Sequence, residues 1–127
     1  MSRAIVLTNN TEVMAAYPEA DFIHGSATDV LTRARDLVHI GHCLLSHPLM
    51  GSVKPNHSPY KTVVLSASPS ALDLPSLSVI EGALATFRRF LADQALPDWD
   101  EVTLADFRLI DFELAKNTLA DLCQGCF

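Results

Sequence analysis

Residues 46–66 read SHPLMGSVKPNHSPYKTVVLS, and the fold turns on how this stretch is divided. Pro48, Pro55 and Pro59 fix φ at three points and remove three amide donors, so 46–60 is a loop rather than a helix or a central strand. At Lys61 the composition changes. KTVVLSA, residues 61–67, has β-branched residues at its centre and reads as a strand.

Upstream of the loop, Val30, Leu31, Ala34, Leu37, Val38, Gly41 and Leu45 fall within one arc of about 100° on a helical wheel, which predicts a core-facing helix over 27–45. Ser26 with Asp29 three residues later is close to a capping box at its start. Gly41 sits in the apolar stripe, where a glycine costs about 1 kcal/mol relative to Ala and points to close packing on a neighbouring backbone. Before this helix, AIVLTNN (4–10) and ADFIHG (20–25) read as two short strands, joined by a short helix that Asn10 or Thr11 caps and Pro18 closes.

Downstream, Ser76 is placed to cap a helix over about 77–92, which carries Val79, Ile80, Ala83, Leu84, Phe87 and Leu91 at helical spacing. DQALPDWD breaks it. A last helix over about 102–123 has Leu104, Phe107, Ile110, Leu114 and Leu122 along one side. Its other side, with Leu109, Phe112 and Leu119, is apolar enough to meet a partner subunit in a homodimer.

The order strand–helix–strand–helix–strand–helix–helix implies an α/β fold: a small three-layer, Rossmann-like domain with a short, mainly parallel three-stranded sheet. The 127 residues are assigned to one domain, its core about 3–92 and a C-terminal helical extension about 98–123. Apolar content of 49% and charged content of 19% are ordinary for a globular protein. No window approaches the roughly 18 apolar residues of a membrane span, and Met1-Ser2-Arg3 leads directly into a strand rather than a signal segment, so the cytoplasm is expected.

Net charge is −6, and it is unevenly spread. Residues 1–90 hold seven acids and seven bases; residues 91–127 hold eight acids against Arg108 and Lys116. Between Asp36 and Asp73 there is no acid, only Lys54, Lys61 and four histidines. This balance, with no dense basic patch, excludes nucleic acid as a partner. Cys43, Cys123 and Cys126 are expected as reduced thiols; the CxxC at 123–126 ends a helix, where the dipole disfavours the thiolate a redox pair needs.

In an open parallel sheet, ligands bind at the carboxyl ends of the strands. Asn9 and Asn10 stand there after strand one, Gly25 and Ser26 after strand two, and Ser66, Ser68 and Ser70 after strand three. The 46–60 loop enters a parallel strand three from the amino end, and its fifteen residues are long enough to reach around the edge. Gly51 lets its amides approach an anion, Lys54 supplies charge, Ser52 and Asn56 supply neutral hydrogen bonds, and Tyr60 a ring with a polar tip. Arg35, His39 and His42 line one shoulder of the second helix, with His47 at the head of the loop. Together these residues predict a site for a small anionic or polar molecule. Metal is not expected, because the HxxH spacing lacks an HExxH glutamate and Arg35 on the same shoulder repels a cation. No cofactor is expected either, since neither GxGxxG nor GxxxxGK[ST] occurs.

Three function classes fit: a non-catalytic ligand-binding accessory protein, a small enzyme on a carboxylate or phosphate compound with His42 or His47 as acid/base, and a structural dimerisation module. Asp36, three residues before His39, is the nearest carboxylate that could orient an imidazole.

TNN at 8–10, RARDLVHIGHCLLSHPLMGSVKPNHSPYKTVVLS at 33–66 and SLSVIEGAL at 76–84 closely resemble the GrdX family, over roughly residues 5–90. These are small proteins encoded beside glycine, sarcosine or betaine reductase components in anaerobic amino-acid fermenters. The family pattern reads Asn-Glu-Thr-Pro-Tyr where this chain has Asn56-His57-Ser58-Pro59-Tyr60, so the glutamate is replaced at His57 and no acid/base role carries over to that position. The resemblance implies association with components of an amino-acid reductase system, and it brings no activity.

Overall fold

The computed structural model describes residues 4–49 and 57–125, the last three by backbone alone. The elements are β1 (Ala4–Thr8), α1 (Thr11–Ala16), β2 (Asp21–Phe22), α2 (Ala27–His39), β3 (Thr62–Ser66), α3 (Leu74–Asp93) and α4 (Glu101–Gly125). Among the described residues no helix is long and apolar enough to cross a membrane.

The sheet has the order β2-β1-β3. β1 pairs with β2 in parallel, Leu7 opposite Asp21, but with β3 antiparallel, Ala4 opposite Ser66 and Thr8 opposite Thr62. The sheet is therefore mixed, not the mainly parallel Rossmann-like sheet expected. The reason lies at the end of α2. That helix stops at His39 rather than near 45, because Gly41 takes φ +111° and closes it. The Gly41 amide bonds the Val38 carbonyl at 3.0 Å and the His42 amide the Leu37 carbonyl at 3.1 Å, the paired reverse bonds of a Schellman cap. Released from the helix, residues 43–46 run beside β3, with Leu44 opposite Leu65 in antiparallel sense and the Leu45 and Ser46 amides both on the Val64 carbonyl. This edge segment has the direction a third parallel strand would have had. The chain then loops back and inserts β3 between it and β1.

Alternation in the strands divides the core. Leu7, Val63 and Leu65 point to one face, where Val30, Leu31, Ala34 and Val38 of α2 meet Ile80, Leu84 and Phe87 of α3. Val6 and Val64 point to the other, against Val13 of α1 and Ala115 of α4 with Phe112, Leu119 and Leu122. Side chains of this size each contribute about 1.5–3 kcal/mol on full burial, so both faces hold their helices firmly. On α4 the packed side is thus the one carrying Phe112 and Leu119; Ile110, expected inside, is exposed.

The capping box at Ser26 and Asp29 is formed in both directions. α3 starts earlier than expected. Asp73 caps it through the Ser76 amide at 3.0 Å, and Pro75 suits the first turn, so Ser76 lies inside the helix and its hydroxyl instead receives the Leu44 amide at 3.0 Å.

Candidate functional site

Because β3 is reversed, the foot of the 46–60 loop meets the sheet beside Thr8. The loop's exit lies at the same end as Thr8-Asn9-Asn10 and Gly25, so it has no need to reach around an edge. The same reversal sends Ser66, Ser68 and Ser70 to the opposite end.

Thr8, Asn9, Asn10 and Thr62 are all buried, which requires each to find partners. Asn9 Nδ2 donates to the carbonyls of Gly25 at 3.0 Å and Pro59 at 2.9 Å, and its Oδ1 accepts the Lys61 amide at 2.8 Å. One side chain thus ties the exit of β2 to the exit of the loop. Asn10 caps α1, accepting the Glu12 amide at 3.0 Å, while its Nδ2 donates to the Arg108 carbonyl at 2.8 Å and to Asp111 Oδ2 at 3.0 Å.

The hydroxyls have one consistent direction. Thr62 donates to Asp111 Oδ2 at 2.7 Å, so the 2.8 Å contact between the two threonine oxygens must be donated by Thr8, whose oxygen in turn accepts the Asn10 amide at 3.0 Å. Four groups form a directed chain ending on a carboxylate, an arrangement in which each bond strengthens the next. Burial pushes the Asp111 carboxyl above its usual range, opposed by the Asn10 and Thr62 bonds and by the charge of Lys61. Burial likewise pulls the Lys61 ammonium below its usual value, with Asp111 opposing. The Lys61 Nζ lies 5.6 Å from the centre of the Phe87 ring.

On the outer side, Arg108 gathers the neighbouring elements. Its Nη1 donates to Tyr60 Oη at 2.8 Å, its guanidinium lies 5.6 Å from the Tyr60 ring centre, and it pairs with Glu101 and, at 3.5 Å, with Glu12. These partners hold it charged, the Glu101 hydrogen bond most of all. Trp99 Nε1 donates to the His57 carbonyl at 2.7 Å, and its ring packs on Phe107 at 5.5 Å. The loop's exit is therefore fastened at His57, Pro59, Tyr60 and Lys61.

Of the residues expected in the site, Asn9, Asn10 and Tyr60 come together here. The amide groups of both asparagines are taken up by protein partners. Arg35, His39 and His42 are not brought to this end: α2 runs back along the sheet, so its last turns lie toward Ser66. There His42, buried, contacts the Ser66 carbonyl through Nδ1 at 2.8 Å, His39 meets Glu81 at 3.3 Å, and Arg35 stands 4.0 Å from Asp36. His47 is exposed and accepts the Leu49 amide at 3.1 Å on Nδ1. It borders a shallow groove of about 320 Å³ between the edge segment and the first turn of α3, lined by Leu44, Leu45, Asp73 and Val79. Gly51, Ser52, Lys54 and Asn56 lie outside the described residues, as does the Cys123–Cys126 pair as a pair of side chains. Cys43 is a free thiol. Among the described residues no three His, Cys, Asp or Glu side chains are grouped to hold a metal.

Lys61, Thr62, Trp99, Arg108 and Asp111 complete the cluster and were not singled out from sequence. Asp111 did carry a signal. It falls in register with Leu104 and Phe107, at spacings of seven and four, on a side of α4 read as apolar.

A sequence model of the GrdX-like family matches residues 5–120. The chain belongs to the GrdX-like family. No curated protein and no solved structure matches it. The family match runs past the block that carries the resemblance and takes in Arg108 and Asp111, so the α4 half of the polar cluster belongs to the GrdX-like region.

Proposed function

We propose that this GrdX-like protein is a non-catalytic accessory protein that binds a small polar or anionic molecule where the 46–60 loop returns to the sheet, and that it serves an amino-acid reductase system. One observation carries the binding half: Asn9 fastens the loop's exit beside the carboxyl ends of β1 and β2 with three hydrogen bonds. A loop exit anchored this way at Pro59 and Lys61 is in place before its ligand arrives, which lowers the entropy lost on binding. The absence of any acid between Asp36 and Asp73 favours a negative or oxygen-rich ligand. The reductase half rests on family membership.

Thermal unfolding with phosphate, sulfate, glycine, acetyl phosphate and nucleotides tests the binding half. A ligand at a hundred times its dissociation constant adds about 2.7 kcal/mol, a shift of several degrees. No shift with any of them at millimolar concentration sinks it. Co-elution with purified glycine reductase components tests the other half.

A further inference from the structure

Among the described residues the arginines of ion pairs each face an acid: Arg33 faces Asp21, Arg35 faces Asp36, and Arg108 faces Glu12 and Glu101. Lys61 is different. It is half-buried, its backbone is held by Asn9, and no carboxylate lies within ion-pair distance of its ammonium among those residues. A lysine drawn out of water without a partner is costly, and proteins keep such groups where something else uses them.

We propose that the Lys61 ammonium is the anchor for an oxyanion, a carboxylate or phosphate group, on the bound molecule, with the Phe87 ring as the apolar floor beneath it. This deepens the binding role proposed above and rests on it. The charge acting on Lys61 comes from α4, where Asp111 is engaged by Thr62 and Asn10. From α3 it meets the uncharged Phe87 ring. No ion pair joins Asp111 to Lys61, so its charge acts on the lysine without neutralising it by contact. An incoming oxyanion does. It supplies the counter-charge that burial withholds, and it pulls the proton affinity of the amine back up toward that of an ordinary lysine.

The full chain has three lysines, Lys54, Lys61 and Lys116, so reductive methylation with ¹³C gives a spectrum simple enough to follow each one. Lys61→Met identifies the Lys61 signal and keeps an unbranched stem over Phe87. The Lys61 signal is expected to titrate below the ordinary lysine range. Addition of inorganic phosphate or acetate is expected to move it and raise its midpoint while Lys116 stays fixed. Phosphate alone acting names a phosphate ligand, acetate alone a carboxylate. A Lys61 signal that titrates in the ordinary lysine range, or that neither anion moves, overturns the assignment. If a molecule from the thermal panel stabilises wild type and Lys61→Met equally, the binding role survives and the anchor does not.

Discussion

The two ends of β3 lie only about 13 Å apart, yet they are built on different principles. At the Ser66 end the work is done by backbone. Gly41 turns the chain, its carbonyl receives the Ser70 amide at 3.0 Å, Cys43 receives the Ser66 amide at 2.8 Å, and the His42 ring contacts the Ser66 carbonyl. At the Thr62 end the work is done by side chains. Two asparagines and two threonines are buried together against a half-buried aspartate, with a lysine beside them that has no ion-pair partner among the described residues. The first end contains a reversal of the chain held mainly by backbone, with the buried His42 ring and the Ser66 hydroxyl fastened to it. The second holds a lysine charge that no ion pair among the described residues takes up, and the proposed ligand role rests on it.

The contrast breaks most sharply at Gly41. A Cβ built there comes within 2.0 Å of the Ser70 carbonyl oxygen, and φ +111° is a conformation that side chains rarely adopt. Gly41→Val is expected to cost about 3 kcal/mol or more, since left-handed strain alone is worth about 1–3 kcal/mol and the clash with backbone adds to it. Urea unfolding measures it. A loss below about 1 kcal/mol would mean that the turn is not held as described. Because the Thr62 end is tied independently, ligand stabilisation measured below the lowered melting point should persist.

Asn9→Ala is the matching change at the other end. It orphans the carbonyls of Gly25 and Pro59 and the amide of Lys61; fully buried, such groups cost about 1–3 kcal/mol each, and these half-buried ones cost less apiece. The expected loss is about 2 kcal/mol. The single tryptophan reports the site directly: Trp99 holds the loop at His57, so its emission should shift to the red as the exit loosens. Gly41→Val should leave that emission in place. If both variants move it equally, the ends are coupled and the division drawn between them fails.

The legible part of this molecule was whatever depends on local pattern. Local pattern located the three strands and four helices of the described residues, Ser26 and Asp29 announced their capping box, and TNN marked the turn that became the centre of the polar cluster. Direction was not legible, because KTVVLS has the same alternation whichever way it runs. The signal for its reversal was Gly41, read as a packing glycine inside a helix when its spacing from the last apolar turn also fits a helix-ending C′ residue. The site's membership failed for a related reason. Asn9 and Asn10 were found because they follow a strand; Arg108 and Asp111 meet Asn10 across about a hundred residues of sequence, a pairing that no local pattern encodes.

Asp111 allows the smallest and most discriminating test. Its carboxyl is raised in the folded protein above the 3.8 of the unfolded chain, so the native state binds more protons than the unfolded state between those two values. Stability contributed by this group is therefore greatest below the unfolded value and falls as pH rises through the folded one. Asp111→Asn keeps an oxygen to accept from Thr62 and Asn10 and removes the charge. It is expected to change stability by less than about 1 kcal/mol at neutral pH and to flatten that slope. Asp111→Ala leaves the Thr62 hydroxyl and an Asn10 amide hydrogen without their acceptor and is expected to cost about 1–2 kcal/mol. Denaturant midpoints of the two variants and wild type from pH 3 to 8 measure both effects. An Asn variant as damaged as the Ala variant would show that the negative charge itself holds α4 in place. In that case the partial relief Lys61 draws from Asp111 is part of the fold's own structure, and the surplus charge that singles out the Thr62 end would be smaller than described.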